Sequence, residues 1–394
     1  MEPLTLEIAT VVAGGDGLGR DAGGRVTFVA GALPGETVSV DLHQQKKDFA
    51  RGSVRQVVAA SPDRVAAPCP FVAAGCGGCD WQHVAPPAQR RLKAAIVADA
   101  LRRQAKLDVA VDEGPALPAT GYRTTLRGVA TGGRFGLRRR HSHDVIAVAP
   151  CLVAHPLVDE LVTDGRFPDG EVVLRAGART GERLVVVDGE ASSAQVPDGV
   201  RVVSATDLAA GTRAWFHEEV AGRRWRISAR SFFQPRPDGA DALVAGVAQA
   251  IEGALPPLGH LVDLYGGVGL FAGTLSEDGP VTLVEQDASS VADARVNLEG
   301  GNVRIVRADV DHWGASRADV VVADPPRTGL GARGVARLAA THAPRVALVS
   351  CDPAAFGRDA RLLADAGYDL RGTLLVDLFP LTSHVEVVSR FDRR

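Results

Sequence analysis

The 394-residue chain predicts an α/β protein with a Rossmann-like, doubly wound sheet at its C-terminal end, behind an OB-type β-barrel and a β-rich central domain. Three observations lead there. From about Ser231 onward, short apolar runs alternate with helical periodicity, as in parallel strands covered on both faces by crossover helices. Between residues 121 and 230 strand patterns dominate. The first 58 residues hold five short strand candidates separated by glycine turns, enough for a small barrel.

Taken in order, residues 4–12 alternate loosely, and Gly14, Gly15, Gly17, Gly19, Gly23 and Gly24 punctuate the stretch after them. Further strands are predicted at 25–30, 37–42 and 53–59. No helical pattern succeeds residues 14–19, so this stretch reads as a hairpin turn and not as a phosphate-cradling loop. Residues 60–84 carry three cysteines and little regular pattern. A helix is predicted over 87–104 from the spacing of Leu92, Ile96, Ala100 and Leu101, with the catalytic domain as its packing partner. Central strands are predicted at 124–130, 134–137, 145–148, 172–175, 183–187 and 224–228. The C-terminal alternation predicts helices over 241–251, 268–275, 288–298, 334–340 and 356–366. Its strands fall at 260–264, 281–285, 303–307, 320–324 and 345–350, with terminal strands near 368–377 and 385–390. The domains therefore divide as 1–58, 59–230 and 231–394.

Hydrophobic residues make up 46% and charged residues 23%, so the chain buries a core. It has no apolar run of eighteen residues and no basic-then-apolar leader, so a cytoplasmic protein without a membrane partner is expected. No obligate protein partner is evident. The net charge of −3 is unevenly spread: residues 61–235 carry 23 basic and 19 acidic side chains, and residues 236–394 carry 15 and 21. The basic excess is densest at Arg123, Arg127, Arg134 and Arg138–Arg140. Such a run is a solvated face or a phosphate-tracking surface.

The five cysteines, an odd number, argue against a disulfide framework. Six residues separate Cys69 from Cys76 and two separate Cys76 from Cys79, while Cys151 lies far downstream. Three clustered cysteines and one remote favour a 4Fe–4S cluster, with zinc, which prefers two close pairs, as the alternative. The fifth, Cys351, stands in Ser350-Cys351-Asp352-Pro353, after an apolar strand and before a helix. That position suits a nucleophile of depressed pKa, or else a small buried thiol. Leu264-Tyr265-Gly266-Gly267-Val268-Gly269 is a strand end turning into a glycine loop, where the backbone can approach a ligand. Glu285, Asp309 and Asp324-Pro325-Pro326-Arg327 end the next strands, at the sheet edge where open α/β sheets bind ligands.

Together these motifs resemble the RNA uracil-5 methyltransferase family over nearly the whole chain. Ala32-Leu33-Pro34-Gly35-Glu36 resembles its TRAM domain, and Cys69…Cys76-Gly77-Gly78-Cys79…Gln82-His83 its cluster motif, with Cys151 as the fourth ligand. The resemblance implies a SAM-dependent methyltransferase with S-adenosyl-L-methionine bound by Gln234, Tyr265, Glu285, Asp309 and Asp324. It implies Cys351 as nucleophile and Glu386 as base, with His384 the rival. It also implies an RNA substrate, with ribosomal RNA ahead of transfer RNA. A thiol makes chemical sense: its attack on carbon 6 of uracil makes carbon 5 nucleophilic enough to take a methyl group, and a base must then remove the carbon 5 proton. Three positions depart from the family pattern: Gly266 replaces a cysteine, Leu270 a polar residue and Arg236 an asparagine. Two rival readings keep part of this: a non-catalytic RNA chaperone, and a methyltransferase acting on an exocyclic nitrogen, which has no need of Cys351.

Overall fold

Strands Leu4–Val11, Gly17–Arg20, Val26–Ala30, Thr37–Gln45 and Phe49–Ala59 close into a barrel in the order one, two, three, five, four. This is a computed structural model, and it describes residues 4–276 and 278–394. Alternate residues fill the barrel, among them Leu6, Ile8, Val29, Val38 and Val40. Part of the glycine-rich stretch read as a turn is thus the second strand; the turn itself closes through Val12 N–H on Asp16 O, 3.0 Å. Glu36 seals one end of the barrel. Its buried carboxylate accepts from Leu33 N (2.9 Å), Ser61 N (3.3 Å) and Arg64 Nη2 (2.8 Å).

The central part is a six-stranded sheet in the order Val200–Ser204, Arg183–Val187, Gly170–Ala176, Thr125–Thr131, Arg134–Arg138, Val145–Ala147, followed by the hairpin Trp215–Val220 and Arg223–Ser228. The strand patterns foresaw most of it. They did not show the helix Pro156–Asp164, nor the strands Val200–Ser204 and Trp215–Val220.

The C-terminal sheet has eight strands, in the order Val303–Arg307, Val281–Glu285, Leu261–Leu264, Val320–Ala323, Arg345–Ser350, Val387–Arg393, Tyr368–Leu375, Asp112–Glu113. Val387–Arg393 runs antiparallel to both neighbours. Successive residues of each inner strand serve opposite faces. Leu261, Leu283, Val320 and Val322 pack beneath Leu243 and Val247 of helix Pro237–Ile251. Val262, Leu264, Val321 and Leu348 pack beneath Phe356 and Leu363 of helix Pro353–Asp365. Helix Pro86–Ala100, prolonged by a π turn at Leu101–Ala105, lies against Pro353–Asp365. Contact there is close enough that a Cβ on Gly357 would stand 2.8 Å from Ala100 O. Asp112–Glu113 then adds an edge strand, so the segment before the central sheet is built into the C-terminal one.

One predicted helix is absent. Residues 268–275 form consecutive turns, because Gly267 (φ 55°) and Gly269 (φ 99°) place left-handed backbone where a helix would begin. Among the described residues, no helix is long and apolar enough to cross a membrane.

Candidate active site

The strands Leu261–Leu264 and Val320–Ala323 are neighbours at the point where the strand order reverses, and their carboxyl ends open a crevice. Acids line it. Asp263, inside the first strand, is fully buried. Its Oδ2 accepts from Ala272 N (2.9 Å), while Oδ1 has no partner among the described residues. Burial, with Asp324 and Glu285 nearby, pushes its carboxyl up to about 8. Glu285 accepts from Gly267 N (3.0 Å) and Asp287 N (2.7 Å), clamping the glycine loop to the next strand. Tyr265 sits at φ 61°, a strained region for a tyrosine. Burial and the neighbouring Asp311 and Asp309 push its hydroxyl up to about 12. Asp309 is half-exposed and caps a short turn through Asp311 N, 2.9 Å. Gln234 is buried next to Phe233, with only 9% of its surface exposed.

Asp324 leaves the fourth strand into two prolines, which fix the backbone and remove two donors. The turn closes through Gly329 N on Pro326 O (2.7 Å), and the buried Asp359 fastens it by accepting from Leu330 N (2.6 Å) and Gly331 N (3.1 Å). Cys351 comes directly after the adjacent strand, and Asp352 caps helix Pro353–Asp365 through Ala355 N, 2.8 Å. The thiol is half-buried and lines a cavity of about 490 Å³ with Asp80, Arg327, Ser383 and His384.

The electrostatics of Cys351 overturn the expected depressed pKa. Burial, then Glu386 and Asp324, push its thiol up to about 12, and the Arg327 guanidinium only partly offsets them. The helix start is real, but burial, with two close acids, outweighs it. Glu386 lies one residue before strand Val387–Arg393 and is buried, 5% exposed. Burial and Asp324 hold its carboxyl well above the usual range. His384 stands at the rim, edge-on to Phe379 (centroids 5.9 Å apart), its ring held below the ordinary value by burial and Arg327. Cys351, Asp324 and Glu386 are thus brought together, with Asp263 and Glu285 continuing the row of acids, while Tyr265 and Asp309 flank it.

The other four cysteines, 82 residues apart at their extremes, line one cavity of about 610 Å³. Burial raises the thiols of Cys76 and Cys151, and that of Cys79 to about 12; each also feels other thiols of the set. Cys69 N–H donates to Gln82 Oε1 (3.0 Å) and Cys151 N–H to Asp159 Oδ1 (2.7 Å). Among the described residues, no three His, Cys, Asp or Glu side chains form a group that could hold a metal ion. The two cavities share Gly77, Gly78, Arg138, Arg327 and His384 as walls.

Residues 5–54 match the TRAM domain. An uncharacterized RNA methyltransferase of Streptomyces avermitilis is 37% identical, over 98% of each chain. The 23S rRNA (uracil(1939)-C(5))-methyltransferase RlmD of Halomonas elongata is 32% identical, over 94% of this chain and 86% of its own. This chain belongs to the RNA uracil-5 methyltransferase family. The methyltransferase also shares its fold end to end with the Pyrococcus abyssi tRNA (uracil-54, C5)-methyltransferase, at a TM-score of 0.75, 23% identity, and coverage of 98% and 99%.

Sequence reasoning passed over three buried charged side chains around the site. Asp263 was signalled by an acid within an otherwise apolar strand. Asp293, buried on helix Ala288–Asn297, accepts from Arg226 Nε (2.8 Å), Ser228 N (2.7 Å) and Ser231 Oγ (2.6 Å), and so sets where the Ser231–Gln234 segment leaves the hairpin. Lys93, fully buried, pairs with Asp377. Neither of the last two has a sequence signal, because each partner is remote in the chain.

Proposed function

We propose that this methyltransferase converts a uridine of RNA to 5-methyluridine through a covalent adduct on Cys351, with Glu386 as the base. The observation that carries this is the meeting of Cys351, Glu386 and Asp324 at one edge of the sheet, where strands Val320–Ala323 and Arg345–Ser350 end and the antiparallel strand Val387–Arg393 begins, with Cys351 lining a cavity. Cys351 Sγ bonds carbon 6 of the uracil, and carbon 5 becomes nucleophilic. Bound S-adenosyl-L-methionine would supply a methyl group on a positively charged sulfur. The site suits such a cation: four acids lie in a row, and Asp263 Oδ1 is a buried acceptor awaiting a donor. Tyr265, Glu285, Asp309, Asp324 and Gln234 would hold that cofactor. Glu386, whose carboxyl burial and then Asp324 raise above the ordinary carboxylate range, is a stronger base than a free carboxylate.

Ribosomal RNA is the favoured substrate, since the 32% identical relative acts on 23S rRNA. The tRNA enzyme, at 23% identity, speaks only for the fold. Ala13 and Gly14 of the barrel and Arg138–Arg140 of the central sheet line the mouth of the Cys351 cavity, and would contact RNA backbone around an extruded uridine. The four thiols suit a 4Fe–4S cluster better than zinc. Three cysteines close in sequence and one remote is the spacing of such a cluster, and all four line one cavity.

The test is Cys351→Ala. It should retain RNA binding and yield no 5-methyluridine from labelled methyl donor; undiminished methylation by this variant sinks the mechanism.

A further inference from the structure

We propose that Asp80 is a positioning residue for proton removal, acting through Ser383 on Glu386. This rests on the adduct mechanism proposed above.

The segment between strands Tyr368–Leu375 and Val387–Arg393 carries both His384 and Glu386 and contains no helix or strand. Internally, Val376 N donates to Glu386 O (2.9 Å) and Thr382 Oγ1 to Phe379 O (2.8 Å), but these bonds do not engage the Glu386 carboxyl. The segment is also held from outside. Lys93 Nζ donates to Asp377 Oδ1 (2.6 Å) and Phe379 O (3.0 Å). Tyr122 Oη donates to Pro380 O (3.1 Å), Trp81 N to Leu381 O (2.9 Å), and Leu381 N to Gln89 Oε1 (2.7 Å). Nearest the base, the two oxygens of Asp80 accept from Ser383 N (2.9 Å) and Ser383 Oγ (2.6 Å). Asp80 is therefore a two-point latch three residues from Glu386, on an element some three hundred residues away in sequence.

Cys351 does not depend on this latch. It is fixed by strand Arg345–Ser350 and by the Asp352 cap. The two halves of the reaction are therefore held by different parts of the molecule. Bonding of Sγ to carbon 6 and methylation at carbon 5 need Cys351. Release needs Glu386: the carbon 5 proton passes to its carboxylate, the C–H electron pair forms the 5,6 double bond, and the C6–S bond breaks with its pair returning to sulfur as thiolate. Loosening the latch impairs the second half alone.

The experiment uses the full-length protein and two RNAs, one natural and one with 5-fluorouridine at the target, where fluorine cannot leave as a proton and the adduct stalls. Wild type must trap the fluorinated RNA; if it does not, the adduct mechanism fails, and with it the basis of this inference. Asp80→Ala should trap it at the wild-type rate. On natural RNA the same variant should accumulate a denaturant-stable, methylated adduct and turn over about a hundredfold more slowly, the loss expected of a base displaced by about 1 Å. Asp80→Asn, which keeps an acceptor for Ser383 N and a donor for Oγ, should restore release. Should Asp80→Ala not fold, Ser383→Ala loses one of the two bonds and should show the same stalled adduct at lower yield. Normal release by the latch variants, or equal loss of trapping and release, overturns the proposal.

Discussion

Replacing Lys93 with methionine tests whether the active-site segment is held by burial or by charge. Methionine replaces the buried lysine stem with an unbranched apolar chain but offers nothing to Asp377 Oδ1, 2.6 Å from Nζ, or to Phe379 O, 3.0 Å away. The lysine side chain is 0% exposed and that of Asp377 5%, so water cannot replace the lost ammonium. Removing one partner of a buried ion pair costs about 3–5 kcal/mol, because the remaining charge is uncompensated. At about 1.4 kcal/mol per factor of ten, even the lower figure exceeds a hundredfold in an opening equilibrium. Hydrogen exchange measured by mass spectrometry on the peptide covering 376–386 reads that equilibrium. Its amides should exchange at least a hundredfold faster in Lys93→Met. The double variant Lys93→Met, Asp377→Leu, which leaves no buried charge, should recover to within about 2 kcal/mol of wild type. If the single variant exchanges within threefold of wild type, or the double variant is no better than the single, charge pairing is not what fastens this segment.

The site and the barrel lead to four further expected outcomes. Attack by Cys351 should accelerate as pH rises from 6 to 9, since a thiol raised to about 12 gains thiolate throughout that range; a pH-independent rate of trapping on 5-fluorouridine RNA refutes it. Glu36 is held below the ordinary carboxylate value because Arg64 and the Leu33 and Ser61 amides outweigh its burial, so the barrel should gain stability above the unfolded value near about 4.3 and lose it as pH falls below. Glu36→Gln should cost about 2 kcal/mol in barrel stability at pH 7 and flatten that acid dependence, as read from urea unfolding at pH 7 and 4. Gly269→Ala combines left-handed backbone (φ 99°) with a Cβ 2.7 Å from Leu298 Cδ1, and calorimetric affinity for S-adenosylhomocysteine should fall at least tenfold. Cys79→Ser should remove most of the iron, sulfide and visible absorbance from anaerobically purified protein, and unchanged iron content sinks the cluster assignment.

The strand-end acids and Cys351 were legible because strand ends are short-range features. An apolar run bounded by Asp or Glu marks the ligand edge of a parallel sheet wherever the strands are placed, so Glu285, Asp309, Asp324 and Cys351 needed no contact map. Two readings failed for equally physical reasons. Residues 268–275 kept an apolar spacing that a helix would show, but two glycines at their start adopt left-handed backbone that no periodicity reveals. The Cys351 environment was judged from the helix just beyond it, yet its thiol is raised first by burial and then by Glu386 and Asp324, none of which the local sequence reveals.

By itself the sequence determined the order of the parts, the sheet edge at which the chemistry gathers, and the residue types able to form and break a bond to uracil, because these arise from local pattern and side-chain chemistry. The tertiary structure alone decided that strand Asp112–Glu113 belongs with the C-terminal sheet, and that Asp80, Gln89 and Lys93 grip the segment carrying Glu386. Those facts depend on which buried polar groups find one another across some three hundred residues, a choice made by close packing and by the cost of an unpaired charge, and neither leaves a period or a motif in the chain.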